Sequence, residues 1–260
     1  MITSTQNERI KYVRSLARRR ARQREGRFVV EGTRLVGEVV KAGIKPALVL
    51  YTGTWAEGPE AQRLLPSLSG AEEGAWLVGE AVLAAGADTQ TPQGVLAVVP
   101  FVHLQARPGL ILTLDQLRDP GNLGTIFRSA EAARAGQVLL APGTVDLYNP
   151  KVVRGAMGAH FRLPVASLDW PSIAERVAGR AVWLADAGAE FTYDAVDWTQ
   201  PSALIVGGEA AGAGEEAAAL ATGRVRIPMA GGTESLNAAM AATVILFEAA
   251  RQAARGRWGE

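Results

Sequence analysis

Two stretches of this chain, Leu110-Ile111-Leu112-Thr113-Leu114 and Ala203-Leu204-Ile205-Val206, are apolar almost throughout, with none of the polar alternation of a strand that has one wet face. Strands of this kind are covered on both sides, which places them at the centre of a parallel sheet flanked by helices. Further strands are expected near 137–140, 162–166, 181–185 and 202–207, separated by helical stretches. An α/β fold with a parallel sheet follows for residues 109–260.

A smaller alternation precedes it. Phe28-Val29-Val30, Ala47 to Tyr51, Ala75 to Val78 and Gly94 to Val99 read as strands, and residues 32–42 and 56–65 as helices. These form an α/β/α unit over residues 1–100, and the proline-bearing stretch 101–108 reads as a linker. The 260 residues thus divide more naturally into two domains than one.

The overall charge of +1 conceals an asymmetry. Residues 1–27 hold nine basic side chains against two acidic ones, a local +7, so the remainder carries −6. Ile10, Val13 and Leu16 follow helical spacing, which predicts one basic helix whose arginines, Arg22 among them, can meet nucleic-acid phosphates. No apolar run reaches 18 residues and the N-terminus is polar, so no membrane partner and a cytoplasmic setting are expected. With no cysteine, thiolate chemistry is excluded, and the two histidines, His103 and His160, stand in no metal-ligand spacing, so no metal site is expected.

Three polar loops follow predicted strands. Asp119-Pro120-Gly121-Asn122 is turn chemistry, with Asn122 placed to cap the next helix and Arg128 two turns along it. Val206-Gly207-Gly208-Glu209 ends a strand in two glycines, which permit a ligand to approach the backbone. Arg226 to Asn237 runs into a last apolar helix, where Ser235 is the expected cap, Ala238, Ala239, Ala241 and Ala242 form a close-packing face, and Ile245, Leu246 and Phe247 are expected in the core. Neither a G-x-G-x-x-G fingerprint nor a Walker lysine pattern is present, which disfavours a dinucleotide oxidoreductase or a nucleoside triphosphatase.

Asn122, Gly124 and Arg128, then Gly208-Glu209, then Ile227-Pro228-Met229 through Ser235-Leu236-Asn237 resemble, in order and spacing, the three motifs of the SpoU (TrmH) class of SPOUT RNA methyltransferases. Asn149-Pro150-Lys151 to Ala159 is also similar to the family, with Gly155-Ala156 where a small residue and Ser are common. Phe28 to Leu35 looks like the start of the ribosomal-protein-like (L30e-like) domain found in many members. The resemblance implies a C-terminal trefoil knot, a homodimer, S-adenosylmethionine as methyl donor and an RNA ribose 2′-hydroxyl as acceptor, with 23S ribosomal RNA preferred and transfer RNA or a non-catalytic RNA-binding role as alternatives. It further implies Asn122, Arg128, Glu209, Ser235 and Asn237 at the active centre, and the backbone of Gly207, Ile227 and Leu236 around the donor.

Overall fold

The computed structural model describes residues 1–208 and 212–255. In chain order the elements are α1 (Glu8–Ser15), α2 (Arg19–Glu25), β1 (Arg27–Glu31), α3 (Thr33–Lys41), β2 (Leu48–Tyr51), α4 (Gly53–Ala56), α5 (Pro59–Leu68), β3 (Ala75–Leu77), α6 (Glu80–Gly86) and β4 (Val95–Pro100). They continue with β5 (Ile111–Asp115), α7 (Pro120–Ala132), β6 (Gln137–Leu140), α8 (Pro150–Ala156), β7 (Val165–Ser167), α9 (Trp170–Val177), β8 (Ala181–Ala185), β9 (Phe191–Thr192), β10 (Ser202–Gly207), α10 (Glu215–Leu220), β11 (Gly223–Arg226) and α11 (Ala238–Arg255). Contacts group Met1–Val102 with Asp146–Phe161, and His103–Val145 with the described residues from Arg162 onward.

The first unit is built on a four-stranded sheet of order β1-β4-β2-β3, in which β4 runs antiparallel to both neighbours and β2 pairs β3 in parallel. Alternation along the strands sends successive side chains to opposite faces. Phe28, Val30, Val49, Ala97 and Val99 pack with Leu35, Val36 and Val39 of α3 on one face. Leu48, Leu50, Leu96 and Val98 meet Ile10 and Val13 of α1 and Val82 and Leu83 of α6 on the other. Each fully buried side chain of this size contributes about 1.5–3 kcal/mol, so the helices are part of the fold on both sides.

The basic N-terminal segment is two helices rather than one. Asn7 caps α1 by accepting from the Arg9 N–H at 3.0 Å, and α2 ends on Gly26 in the left-handed region. Arg22 does not reach outward as the charge pattern suggested. It is 3% exposed, donates through Nη1 to the Leu16 and Ala17 carbonyls, and pairs through Nη2 with Asp146.

Residues 146–161 join this unit through aromatic packing. The Tyr148 ring lies 4.6 Å from Phe28 and stacks on Phe101 at 3.9 Å, while its hydroxyl accepts from the Val102 N–H at 3.1 Å. His160 is buried, with Nε2 2.8 Å from the Leu147 carbonyl, so this nitrogen carries the proton and donates. Burial pushes the Tyr148 phenol up to about 12 and the His160 imidazole down to about 4.

The second unit is a seven-stranded sheet of order β7-β6-β5-β10-β8-β11-β9, parallel at every pairing. Ile111, Ala203, Ile205, Val182 and Leu184 pack with Ile173 and Val177 of α9 and Ala217 of α10. The alternate residues Leu112, Leu114, Leu204 and Val206 are equally buried on the opposite face. There α11 packs against α7 and β10. Ala239 and Ala242 are fully buried, and Thr243 and Ser129 share a hydroxyl hydrogen bond of 2.7 Å between the two helices. Phe247, expected in the core, is 49% exposed, as is Met240 at 51%.

Candidate active site

In an open parallel sheet the carboxyl ends of the strands form a ledge on which loops diverge and ligands collect. Here β8, β10 and β11 end together, and Ala185–Ala187, Val206–Gly208 and Val225–Ile227 line one cleft of about 480 Å³. Its far wall is the stretch before α11, with Met229 and Glu234 to Asn237, closed from below by Ala241 and Ile245. Gly207, Ile227, Ser235, Leu236 and Asn237, singled out along the sequence, are therefore brought into one cavity.

The glycines of this wall have a reason other than ligand approach. A Cβ on Gly207 would lie 2.4 Å from the Ala213 nitrogen, and one on Gly208 would lie 2.4 Å from the Gln116 carbonyl oxygen. The chain itself occupies the space where a side chain would be. Gln116 turns away from β5 with φ +51°, a conformation uncommon outside glycine, and so presents that carbonyl to Gly208. Beside it Asp115, paired in register with Gly207, is 1% exposed and accepts from the Gly214 N–H at 2.7 Å. Burial raises its pKa, the Gly214 hydrogen bond opposes that, and the charge of Glu216 adds to it. Asp115 thereby ties Gly214 back to the sheet. Glu209 lies outside the described residues.

Helix α7 begins one turn earlier than the turn chemistry indicated. Asp119 is its cap, accepting from the Asn122 N–H at 2.7 Å, and Pro120 takes the first helical position. Asn122 is freed from capping and sits in the first turn, where its Oδ1 accepts from Asn237 Nδ2 at 3.1 Å. A similar displacement occurs at α11. Asn237 rather than Ser235 caps that helix: its Oδ1 accepts from the Ala239 and Met240 N–H groups at 2.9 and 3.3 Å, and its carbonyl takes the first intrahelical bond from Ala241. One asparagine thus starts a helix with its oxygen and reaches the other motif with its nitrogen.

Arg128, two turns along α7, is exposed, does not line the cleft, and makes no hydrogen bond or ion pair among the described residues. Ser235 is likewise exposed and makes no hydrogen bond there. Residues 227–236 make no backbone hydrogen bond to another described residue. Ten residues of exposed or half-exposed backbone donors and acceptors beside a cavity are groups that water or a ligand must satisfy.

Asp186, at the end of β8, was not anticipated. It lines the cleft, and its carboxylate accepts from the Gly188 N–H at 2.9 Å and from Arg224 at 2.5 Å, which together hold its pKa below the usual range. The signal was present: the strand at 181–185 was expected, and Asp186-Ala187-Gly188 is the loop directly past its carboxyl end.

The profile of the SpoU rRNA Methylase family matches residues 109–247, and that of the MRM3-like substrate binding domain matches residues 7–97. The mitochondrial rRNA methyltransferase 3A of Danio rerio is 35% identical, over 95% of this chain and 69% of its own. The 23S rRNA (guanosine(2553)-2′-O)-methyltransferase RlmP of Bacillus subtilis is 32% identical, over 95% of this chain and 97% of its own. The AdoMet-bound rRNA methyltransferase of Sinorhizobium meliloti superposes with a TM-score of 0.83 at 32% identity, covering 96% of this chain and 97% of that one. The chain belongs to the SpoU rRNA methylase family.

Proposed function

We propose that this protein transfers a methyl group from S-adenosylmethionine to a ribose 2′-hydroxyl of 23S ribosomal RNA. The observation that carries the reading is the cleft at the ends of β8, β10 and β11, whose wall takes Ile227, Met229 and Glu234 to Leu236 from a ten-residue stretch that makes no backbone hydrogen bond to another described residue, with Asn237 of the same wall bonded to Asn122. Its volume lies within the ~300–1,000 Å³ of small-molecule sites. The lining suits the donor: Ile227, Met229, Leu236 and Ile245 offer apolar surface for a planar base, and Asp186 and Glu234 offer carboxylates to the cationic end. When bound, the donor supplies an electrophilic methyl on a positively charged sulfur.

The remaining work falls to the chain. The backbone of Gly207, Ile227 and Leu236 holds the donor, and Ser235, Asn237 and Asn122 fix the geometry of the reacting groups by hydrogen bonds. Holding two reactants in line supplies a large share of such a rate enhancement. Arg128, exposed and uncommitted, binds the acceptor strand's phosphate and orients the hydroxyl, and Glu209 is assigned to the same centre. Exposed Arg18, Arg19 and Arg20 supply RNA affinity from the first unit, whereas Ile10, Val13 and Leu16 are core, so truncating 1–27 would remove fold as well as charge.

The reading extends to assembly. Met240 and Phe247, seven residues apart on α11 and half exposed, are an apolar pair suited to a second copy of the chain, which supports the homodimer. The trefoil knot and the L30e-like character of the first domain rest on the family likeness. The cytoplasmic setting rests on the ribosomal substrate named for the Bacillus subtilis relative.

Calorimetry with S-adenosylmethionine and NAD, followed by mapping of ribose methylation in 23S RNA treated with the protein, tests the proposal. Donor binding and one new 2′-O-methyl position are expected. Binding of NAD alone, or a methyl mark only on transfer RNA, overturns it.

A further inference from the structure

The first unit holds a cavity of about 220 Å³ that no role has yet absorbed. It lies wholly within that unit, between α1, the turn after it, the end of α6 and α8. Val13, Leu16, Val29 and Val153 give it apolar walls, and Tyr148 contributes to its lining. Arg14, Arg154, Glu31 and Asp88 bring both signs of charge. Arg154 pairs with Asp88, and Glu31 accepts from Thr89, whereas Arg14 makes no ion pair among the described residues.

Arg22 also lines this cavity. Its two terminal nitrogens are committed to the Leu16 and Ala17 carbonyls and to Asp146, but Nε is buried and has no partner among the described residues. All three Arg22 nitrogens are thus closed to a ligand, and the donor open to one is the Arg14 guanidinium, exposed at the rim. The volume falls below the ~300 Å³ at which pockets for drug-sized ligands begin, which suits a single ring system better than a dinucleotide. An isolated phosphate would meet the two carboxylates and the apolar walls unfavourably. A base has flat apolar faces and an edge that both donates and accepts. The exposed Arg18, Arg19 and Arg20 follow directly on the lining residue Ala17, so a phosphate track leads to the mouth.

We propose that this cavity receives one unstacked nucleobase of the RNA substrate, with the Arg14 guanidinium donating to a ring acceptor and Arg18, Arg19 and Arg20 holding the flanking phosphates. Specific RNA recognition commonly targets splayed bases held in this manner. The inference rests on the reading of the chain as an RNA-modifying enzyme. It also accounts for the stretch from Asn149 to Ala159, because α8 then forms one wall of a substrate pocket.

The test uses the full chain with S-adenosylmethionine in excess, so that the donor cleft is filled. Saturation-transfer NMR is recorded with each of the four nucleoside 5′-monophosphates and with ribose 5-phosphate, alongside filter binding to 23S RNA. Base protons of at least one nucleotide should receive saturation, ribose 5-phosphate should not, and Ala17→Trp, which fills the mouth from an exposed position, should weaken the nucleotide by about fivefold or more. Should Ala17→Trp fail to fold, Arg14→Gln at the exposed rim should weaken it in the same direction. No nucleotide signal at millimolar concentration, equal binding of ribose 5-phosphate, or folded variants that bind as the parent does would overturn the pocket. If 23S RNA still binds in that case, only the pocket fails; if 23S RNA does not bind either, the proposed function fails with it.

Discussion

Arg22 and Arg128 are both arginines of basic or polar stretches, and the chain treats them in opposite ways. In the first unit Arg22 is 3% exposed and bonded to two carbonyls and a carboxylate. In the second, Arg128 is exposed and bonded to no described residue. A buried guanidinium must be compensated by its own protein, so its partners show what it holds together. An exposed one carries no such obligation and is available to a ligand. The same contrast runs through both units: Tyr148, His160 and Arg22 tie residues 146–161 and the N-terminal helices to one sheet, whereas Ser235, Leu236 and the backbone of 227–236 face outward around a cleft.

The sharpest way to break the comparison is to remove both arginines in turn. Arg128→Ala should reduce methyl transfer by roughly 10³-fold or more while changing donor affinity little and stability by no more than about 0.5 kcal/mol. Arg22→Ala strands Asp146 and two carbonyls and should cost roughly 3 kcal/mol of stability. Single-turnover methyl transfer and urea unfolding of both variants check this. If Arg128→Ala unfolds the protein, or Arg22→Ala leaves stability intact, the division of labour is wrong.

Much of the second unit was legible because buried parallel strands leave a distinct mark. The runs at 110–114, 137–140 and 202–207 became β5, β6 and β10, buried on both faces, whereas that at 181–185 became β8, buried at alternate residues only. Helix starts were legible to within a turn only. Asn122 and Asn237 are both good caps by residue type, and which polar residue actually caps depends on where the backbone leaves extended conformation. That point is set by Pro120 in α7 and by the reach of Asn237 to Asn122 in α11, a contact 115 positions apart in sequence. The packing of residues 146–161 with the first sheet was illegible for the same reason, since periodicity records which face of an element is apolar but not which sheet receives it. The burial of Arg22 could not be read from composition either, because its partner Asp146 lies far along the chain.

The buried polar groups of the first unit make a further distinction by pH. In the folded protein burial holds His160 near 4, against 6.5 for an unperturbed histidine. Its neutral form is therefore favoured by folding, so the associated stability is fully present above pH 6.5 and is lost as pH falls toward 4, by at most roughly 3 kcal/mol. Urea midpoints measured at pH 7, 5.5 and 4.5 should fall more steeply for the parent than for His160→Phe, which keeps a ring among Phe28 and Tyr148 but cannot titrate. Parallel slopes would remove His160 from the account of acid lability.

Asp115 in the second unit has the opposite sign and a smaller expected effect. Burial raises its carboxyl pKa, so any stability it contributes through protonation is present below the usual carboxylate range and is lost as pH rises through the raised value. At neutral pH its value is then geometric: it accepts from the Gly214 N–H and so holds Gly214 beside β5. Asp115→Asn keeps an oxygen for that bond while discarding a charge that burial and Glu216 both disfavour, so stability should change by no more than about 0.5 kcal/mol and donor affinity less than threefold. Asp115→Ala removes the acceptor and should cost about 1–3 kcal/mol with a loosened donor wall. If the Asn variant instead loses donor affinity as severely as the Ala variant, the negative charge itself contacts the donor, and Asp115 belongs with the outward-facing groups of the cleft rather than with the buried ties exemplified by Arg22.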